Sequence, residues 1–300
     1  MKPYYCFQQK SPKAVSLSLL QLALISTIQG LTEWLPISSS GHVLLAADLF
    51  GLAGRDELLI NAVSNIGTLA AMLIYFRKDV STAFMGGLEL VMKPVSKMPL
   101  SPAGRLAVSI IVATPIPVIA ALLYETVLPE NIQDALRSIY TVAGATIVFG
   151  ALLWWADVAG PRTRKEEDIT LGHAMIIGAT QAIAAIIPGT SRSGITMTAA
   201  RALGYERTEA ARLSMLLGAP ILAMAGLYGA YGLFTAEAEA GAALTFADGL
   251  IVAVISFITG LASIWFMMEL LKRMSFLPFV LYRFILGAVL LLSSPLVGWF

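Results

Sequence analysis

Two short stretches hold the residues whose types and spacing could do chemistry. In the first, Gln29 and Glu33 stand four residues apart, followed by Pro36, Ser38, Ser39, Ser40, Gly41 and His42. That spacing sets Gln29 and Glu33 on one helical face, and Pro36 ends or kinks the helix, releasing backbone groups. Hydroxyls, a carboxylate and an imidazole are thus collected beside a break, the parts needed for nucleophilic displacement. A serine hydroxyl is weak until a neighbouring base takes its proton, and histidine is the commonest such base. Ser38 to Ser40 would also serve as helix caps, but capping gives no reason for Glu33.

The second stretch, Pro188-Gly-Thr-Ser-Arg-Ser-Gly194, opens a helix that continues toward Ala202. Backbone N–H groups at a helix start, flanked by small residues, form an anion cradle. Arg192 adds a planar fork suited to phosphate oxygens. Thr190, Ser191 and Ser193 supply further donors, and Gly194 allows close approach. A structural pairing of Arg192 with Glu33 is compatible with this reading, because a carboxylate can hold the guanidinium in place until a substrate arrives. The two stretches together are suited to binding and hydrolysing a phosphate ester. His173 is read as interfacial, and Arg283 as structural, snorkelling or bonded to Glu269 or a carbonyl.

The elements that must position these residues are membrane helices. Of 300 residues, 57% are hydrophobic and 13% charged, with a mean hydropathy of +0.78; soluble domains carry about 25% charged residues. Crossing a hydrocarbon layer takes about 20 apolar residues. Leu58–Phe76, Leu106–Tyr124, Ser138–Ala156, Leu213–Ala236 and Gly249–Met268 qualify, as does Met274–Phe300, which carries Arg283. Ionisable groups inside such segments cost about 2.5 to 3.5 kcal/mol each and point to function by default. Glu33, His42, Arg192 and Arg283 are the ones present, and all but Arg283 fall in the two broken stretches.

Basic residues sort the loops. Arg77, Lys78, Lys93, Lys97 and Arg105, then Arg162, Arg164 and Lys165, then Lys272 and Arg273 mark cytoplasmic segments by the positive-inside rule. Glu125, Glu130 and Asp134 with Arg137, and Glu237, Glu239 and Asp248, mark outer loops. A net charge of +1 held in short loops gives no nucleic-acid footprint. The lone Cys6 excludes an intramolecular disulfide. Lys2, Lys10 and Lys13 before the apolar run Ala14–Thr32 superficially resemble a signal peptide, but that run leads directly into Glu33 and His42 and is read as retained.

The charge pattern leaves Ala14–Ala47 and Leu171–Ala200 as re-entrant helix pairs, since unwound backbone at membrane depth survives only where protein or a water-filled cavity satisfies it. These stretches match each other: Gln29, Pro36 and a serine coincide with Gln181, Pro188 and a serine at an offset of 152 residues. Each half then holds one re-entrant pair and three spans, so the second half runs inverted, an arrangement that places a site where broken helices meet. The expected fold is an all-α polytopic integral membrane protein in a single domain over 1–300. It has about six transmembrane helices and two re-entrant helix pairs in inverted-topology repeats at approximately 14–157 and 166–300.

On Gln29-Gly-Leu-Thr-Glu-Trp-Leu-Pro-Ile-Ser-Ser-Ser-Gly-His42, Pro188-Gly-Thr-Ser-Arg-Ser-Gly194 and Lys272-Arg-Met-Ser-Phe-Leu-Pro-Phe-Val-Leu-Tyr-Arg-Phe284, the chain resembles the bacitracin-resistance family of undecaprenyl-diphosphate phosphatases. The resemblance implies an enzyme of the bacterial cytoplasmic (inner) membrane that converts undecaprenyl diphosphate to the monophosphate carrier for peptidoglycan synthesis, conferring bacitracin resistance. It implies catalytic roles for Glu33, Ser39, His42 and Arg192, with Gln29, Ser38, Ser40, Thr190, Ser191, Ser193 and Gly194 binding substrate. A divalent cation, Mg or Ca, is implied as cofactor, with Glu33 as a metal ligand. The first acidic position of the family motif is Gln29 here, which weakens a two-carboxylate metal site, so a metal would ride on the diphosphate. Ser39 would attack the terminal phosphorus or only bind while water attacks. Arg192 and nearby N–H groups would stabilise charge, His42 would handle the proton, and Glu33 would orient Arg192 or a metal-bound water. The site would open to the periplasmic side; the partners are a polyprenyl diphosphate lipid, the membrane and no nucleic acid, with a homodimer allowed. A transporter or lipid flippase is the rival class, because inverted repeats with broken helices are a transporter architecture. A membrane scaffold leaves the costly ionisable groups without a reason.

Overall fold

The computed structural model describes residues 18–39, 41–43, 46, 54–92, 100–237 and 245–293. Ser40, Cys6, Lys2, Lys10, Lys13, Lys93, Lys97, Glu239 and the end of the last apolar run lie outside the described residues. Twelve α-helices occur among the described residues: α1 Leu19–Trp34, α2 Gly54–Tyr75, α3 Arg77–Met92, α4 Pro102–Ala113, α5 Pro115–Val127, α6 Glu130–Arg137, α7 Ile139–Ala159, α8 Leu171–Ile186, α9 Arg192–Ala202, α10 Arg207–Glu237, α11 Phe246–Leu271 and α12 Leu277–Ser293. Residues 39, 41–43 and 46 are also helical.

Among the described residues, four stretches are long and apolar enough to cross a membrane: Pro102–Val127, Ile139–Ala159, Arg207–Phe234 and Phe246–Leu271. Ile60–Tyr75, Leu171–Ile186 and Leu277–Ser293 are shorter apolar helices. The distribution of side chains is inverted relative to a soluble protein. Trp154, Leu227, Leu250, Ile258 and Leu292 face outward, while Ser26, Thr146, Thr196, Ser256 and Ser263 are buried. The buried hydroxyls bond across helices as expected in lipid: Ser256 donates to Ser26 O at 3.2 Å and Ser263 to Leu31 O at 2.7 Å, joining α11 to α1.

The span expected over Leu106–Tyr124 lies within Pro102–Val127, with a local break at Thr114, because Pro115 and Pro117 cannot extend the hydrogen-bond ladder and instead begin α5. The segment after Arg77, read as a loop, carries α3, with Phe84, Met85, Leu88, Val91 and Met92 exposed along it and α4 packed against it.

α1 and α8 are closely alike. Each has 16 residues, each is capped by a hydroxyl (Ser18, Thr170) that accepts from the backbone N–H three residues on, and each stops just before a proline. The residue before a proline is pushed out of the helical region, and Leu35 (φ −72°, ψ 145°) and Ile187 (φ −114°, ψ 99°) are extended accordingly. Each turn then contains a serine in the left-handed region, Ser38 at φ 72° and Ser191 at φ 68°. α1 lies on α11 and on α2, α8 lies on α4 and α5, and α9 lies on α7 as well as on α8 and α10. At Gly178 a Cβ would stand 2.4 Å from Ala113 O, so only glycine lets α8 approach α4.

Near the C-terminal end of α7, Asp157 is buried. It accepts from Arg201 Nε at 3.0 Å, Arg207 Nε at 2.8 Å and Phe276 N at 3.2 Å, tying α7, α9, α10 and the start of α12. Nearby, burial pushes the Tyr205 phenol up to about 12, so it stays protonated. Arg201 is fully buried, and removing the charge of its partner leaves an uncompensated cation. Asp157→Asn is therefore expected to destabilise the protein by about 3 to 5 kcal/mol, read as a lower thermal midpoint in detergent.

Candidate active site

Glu33 ends α1 and Arg192 begins α9, and they meet. Arg192 Nη2 donates to Glu33 Oε1 at 3.0 Å, with side chains 14% and 9% exposed. The other carboxylate oxygen, Oε2, accepts from Gln29 Nε2 at 2.9 Å and from Ser39 Oγ at 3.2 Å. The i, i+4 spacing thus places an amide under the carboxylate, and the turn at Pro36 folds Ser39 back over it. Trp34 anchors this corner: its ring lies 4.9 Å from the Arg192 Cζ, and its Nε1 donates to Thr68 O at 3.1 Å. A guanidinium over an indole face is attracted by the ring quadrupole.

The second turn is organised to keep backbone donors aligned. Ser191 caps α9, accepting from Gly194 N at 3.1 Å, while Thr190 Oγ1 donates to Ile187 O at 2.7 Å. Ser193 Oγ donates to Leu35 O at 2.9 Å, which stitches the second turn to the first. Gln29, Glu33, Ser38, Ser39, Arg192, Ser193 and their neighbours Thr190, Ser191 and Gly194 are therefore gathered at one junction.

His42 stands beside the first turn. Its Nδ1 lies 2.8 Å from Ser38 O, and because a carbonyl only accepts, Nδ1 carries the proton. Nε2 lies 2.6 Å from the Tyr282 hydroxyl, with the two ring planes within 7°. The imidazole is thus engaged at both nitrogens, and the carboxylate that touches Ser39 is Glu33. Tyr282 was not singled out from the sequence, although it sits beside Arg283 in the C-terminal motif.

Three buried polar atoms here have no hydrogen-bond partner among the described residues: Arg192 Nη1, Gln29 Oε1 and Gln181 Oε1. Gln181 aligned with Gln29 in sequence but was assigned no task. Its Nε2 donates to Leu217 O at 3.4 Å. Gly218 makes room for the guanidinium: a Cβ there would stand 1.8 Å from Arg192 Nη1 and 3.5 Å from Gln181 Oε1.

The remaining ionisable residues resolve plainly. Arg283 is fully buried and donates to backbone carbonyls, while Glu269 pairs with Lys272. His173 bonds the Tyr205 hydroxyl at 2.8 Å. As for a divalent cation, no group of three or more His, Cys, Asp or Glu side chains suited to a metal occurs among the described residues. The oxygens at hand are Glu33 and the unpartnered Gln29 Oε1, which fit a hydrated cation brought in on a phosphate better than an all-protein cage.

Fold and site together define a multi-pass helical membrane protein with a buried carboxylate–guanidinium–hydroxyl centre where two broken helices meet. The chain belongs to the family described as Bacitracin resistance protein BacA, which it matches over residues 22–289. It is 64% identical over 283 residues to the undecaprenyl-diphosphatase of Hyphomonas neptunium, covering 94% of this chain and 99% of the relative. The undecaprenyl-diphosphatase of Jannaschia sp. is 43% identical, with 93% of this chain and 99% of the relative covered. That of Maricaulis maris is 44% identical, with 92% and 98% covered.

Proposed function

We propose that this chain hydrolyses undecaprenyl diphosphate to undecaprenyl phosphate and inorganic phosphate in the bacterial cytoplasmic membrane, recycling the lipid carrier for peptidoglycan synthesis and conferring bacitracin resistance. The observation that carries the reading is the buried Arg192 Nη1 without an acceptor among the described residues. A guanidinium kept only for its ion pair with Glu33 gains nothing from an unpartnered buried N–H, which costs about 1 to 3 kcal/mol. One aimed at a phosphoryl oxygen does.

In this reaction Ser39 Oγ attacks the terminal phosphorus while its proton passes to Glu33 Oε2, the carboxylate oxygen it already touches. The bond from that phosphorus to the bridging oxygen breaks, and the prenyl monophosphate leaves. Water then cleaves the phosphoserine and frees phosphate, Glu33 taking the water's proton after its first has passed to the departing monophosphate. Arg192 and the N–H groups at the start of α9 stabilise the charge that spreads over the equatorial oxygens. His42 and Tyr282, the latter 42% exposed, line the approach. Mg or Ca, held by the diphosphate with Gln29 and Glu33, would neutralise phosphate charge.

We read the architecture as two inverted copies, with about six spans and two re-entrant pairs, α1 with the helical residues 39, 41–43 and 46, and α8 with α9, and the site open to the periplasmic side. The equal lengths, caps and turn conformations of α1 and α8 support this. The test is phosphate release from undecaprenyl diphosphate by the purified protein in detergent, with acid quenching and mass spectrometry of the peptide containing Ser39. Stoichiometric phosphate and monophosphate, with a phosphorylated Ser39, are expected. A transporter would release no phosphate, and hydrolysis with Ser39 never modified would assign the attack to water.

A further inference from the structure

Arg283 is a fully buried cation with no ion-pair partner among the described residues. It lies on α12 with 0% exposure, and its donors all reach backbone carbonyls. Nε donates to Thr146 O at 2.9 Å; Nη1 to Pro36 O at 3.3 Å; Nη2 to Gly189 O at 3.1 Å, Thr190 O at 3.0 Å and Ala145 O at 3.5 Å. Pro36 belongs to the turn after α1, Gly189 and Thr190 to the turn after α8, and Ala145 and Thr146 to α7. One guanidinium therefore binds the carbonyls that both broken helices release, together with the span between them.

These bonds have a direction. A carbonyl turned toward Arg283 turns the adjoining peptide N–H the other way, and the N–H groups following Thr190 are those at the start of α9. Arg283 Nη1 also stands where a Cβ on Gly194 would meet it at 2.8 Å, so the side chain backs the first turn of α9. Gly150, where a Cβ would lie 3.2 Å from Arg283 Cβ and 3.3 Å from Nε, completes the socket.

We propose that Arg283 is a positioning residue for the phosphatase site: it staples the two turns through their carbonyls and so fixes the spacing between the Glu33 and Ser39 side and the Arg192 side. It does not touch the reacting atoms. Its charge is retained in the apolar interior because a neutral side chain cannot offer five donors in a plane, and a lysine offers three from a point.

This inference rests on the phosphatase reading, and its test separates the two. Arg283→Gln, Arg283→Met and Arg283→Lys are purified in detergent, checked for monodispersity and melting, and assayed for phosphate release from a prenyl diphosphate. Folded Gln and Met variants are expected to lose at least about 10²-fold in kcat, as a misplacement of about 1 Å does, with KM little changed. The Lys variant should recover part of that loss. A folded Gln or Met variant with wild-type kcat overturns the proposal. Hydrogen–deuterium exchange on the unmodified full chain decides the case even where no variant folds. Peptides covering 35–39 and 187–191 are expected to gain deuterium together as denaturant rises, and independent exchange of the two turns overturns the staple. If the wild-type protein releases no phosphate, the phosphatase reading fails while the exchange result still stands or falls on its own.

Discussion

Arg192→Ala is expected to lower kcat/KM for prenyl diphosphate hydrolysis by about 10³-fold or more, the scale of a charge-stabilising arginine in phosphoryl transfer. Most of the loss should appear in kcat, because the guanidinium meets the charge that develops on the equatorial oxygens more strongly than the ground state. Two consequences separate this from simple unfolding. Glu33 keeps Gln29 and Ser39 as donors after the change, so the corner around Trp34 retains its hydrogen bonds and the protein should remain monodisperse. Arg192→Lys should recover only a fraction of the activity, since a lysine keeps the charge but loses the planar fork and the stacking on Trp34. Full kcat/KM in a folded Arg192→Ala protein would remove the arginine from the reaction.

Gly218→Ala is the second large effect, and it comes from a residue with no chemistry of its own. The added methyl would stand 1.8 Å from Arg192 Nη1 and 3.1 Å from Cζ, closer than any non-bonded contact allows. The guanidinium is the movable end of a long side chain, so it will be displaced rather than the helix. A displacement of about 1 Å from productive geometry costs about 10²-fold in rate. Meanwhile alanine is favoured over glycine in a helix by about 1 kcal/mol, so the thermal midpoint should hold or rise. Loss of kcat at undiminished stability is the signature; a variant with full activity would show that Arg192 has room elsewhere and that its observed position is not the working one.

Much of this site was legible along the chain because the costly residues are few. In a segment that must be apolar, Glu33 and Arg192 are conspicuous, and the prolines that follow α1 and α8 mark where the helices end. The pairing of Glu33 with Arg192 follows from the matching of the two stretches. What the sequence could not supply are contacts across long separations between unremarkable residues. Gly218 looks like any helical glycine until α9 is docked beside it. Tyr282 looks like an interfacial aromatic until His42 is placed 2.6 Å away. The partner of the Ser39 hydroxyl was also beyond reach, because one carboxylate and one imidazole lay within the same stretch and only the left-handed turn at Ser38 decides which faces it. At the level of the fold the same holds for α3: its charges mark a loop side of the membrane, while its apolar residues Phe84, Met85, Leu88, Val91 and Met92 follow a helical period.

The packing of α1 on α11 bears on how the protein is made. While the ribosome has delivered only the residues up to α7, the first broken helix has neither α11 to lie against nor Ser193 and Arg283 to engage the carbonyls of its turn. Membrane insertion of the residues up to α7 must therefore carry an unfinished polar corner in lipid until α11 and α12 emerge.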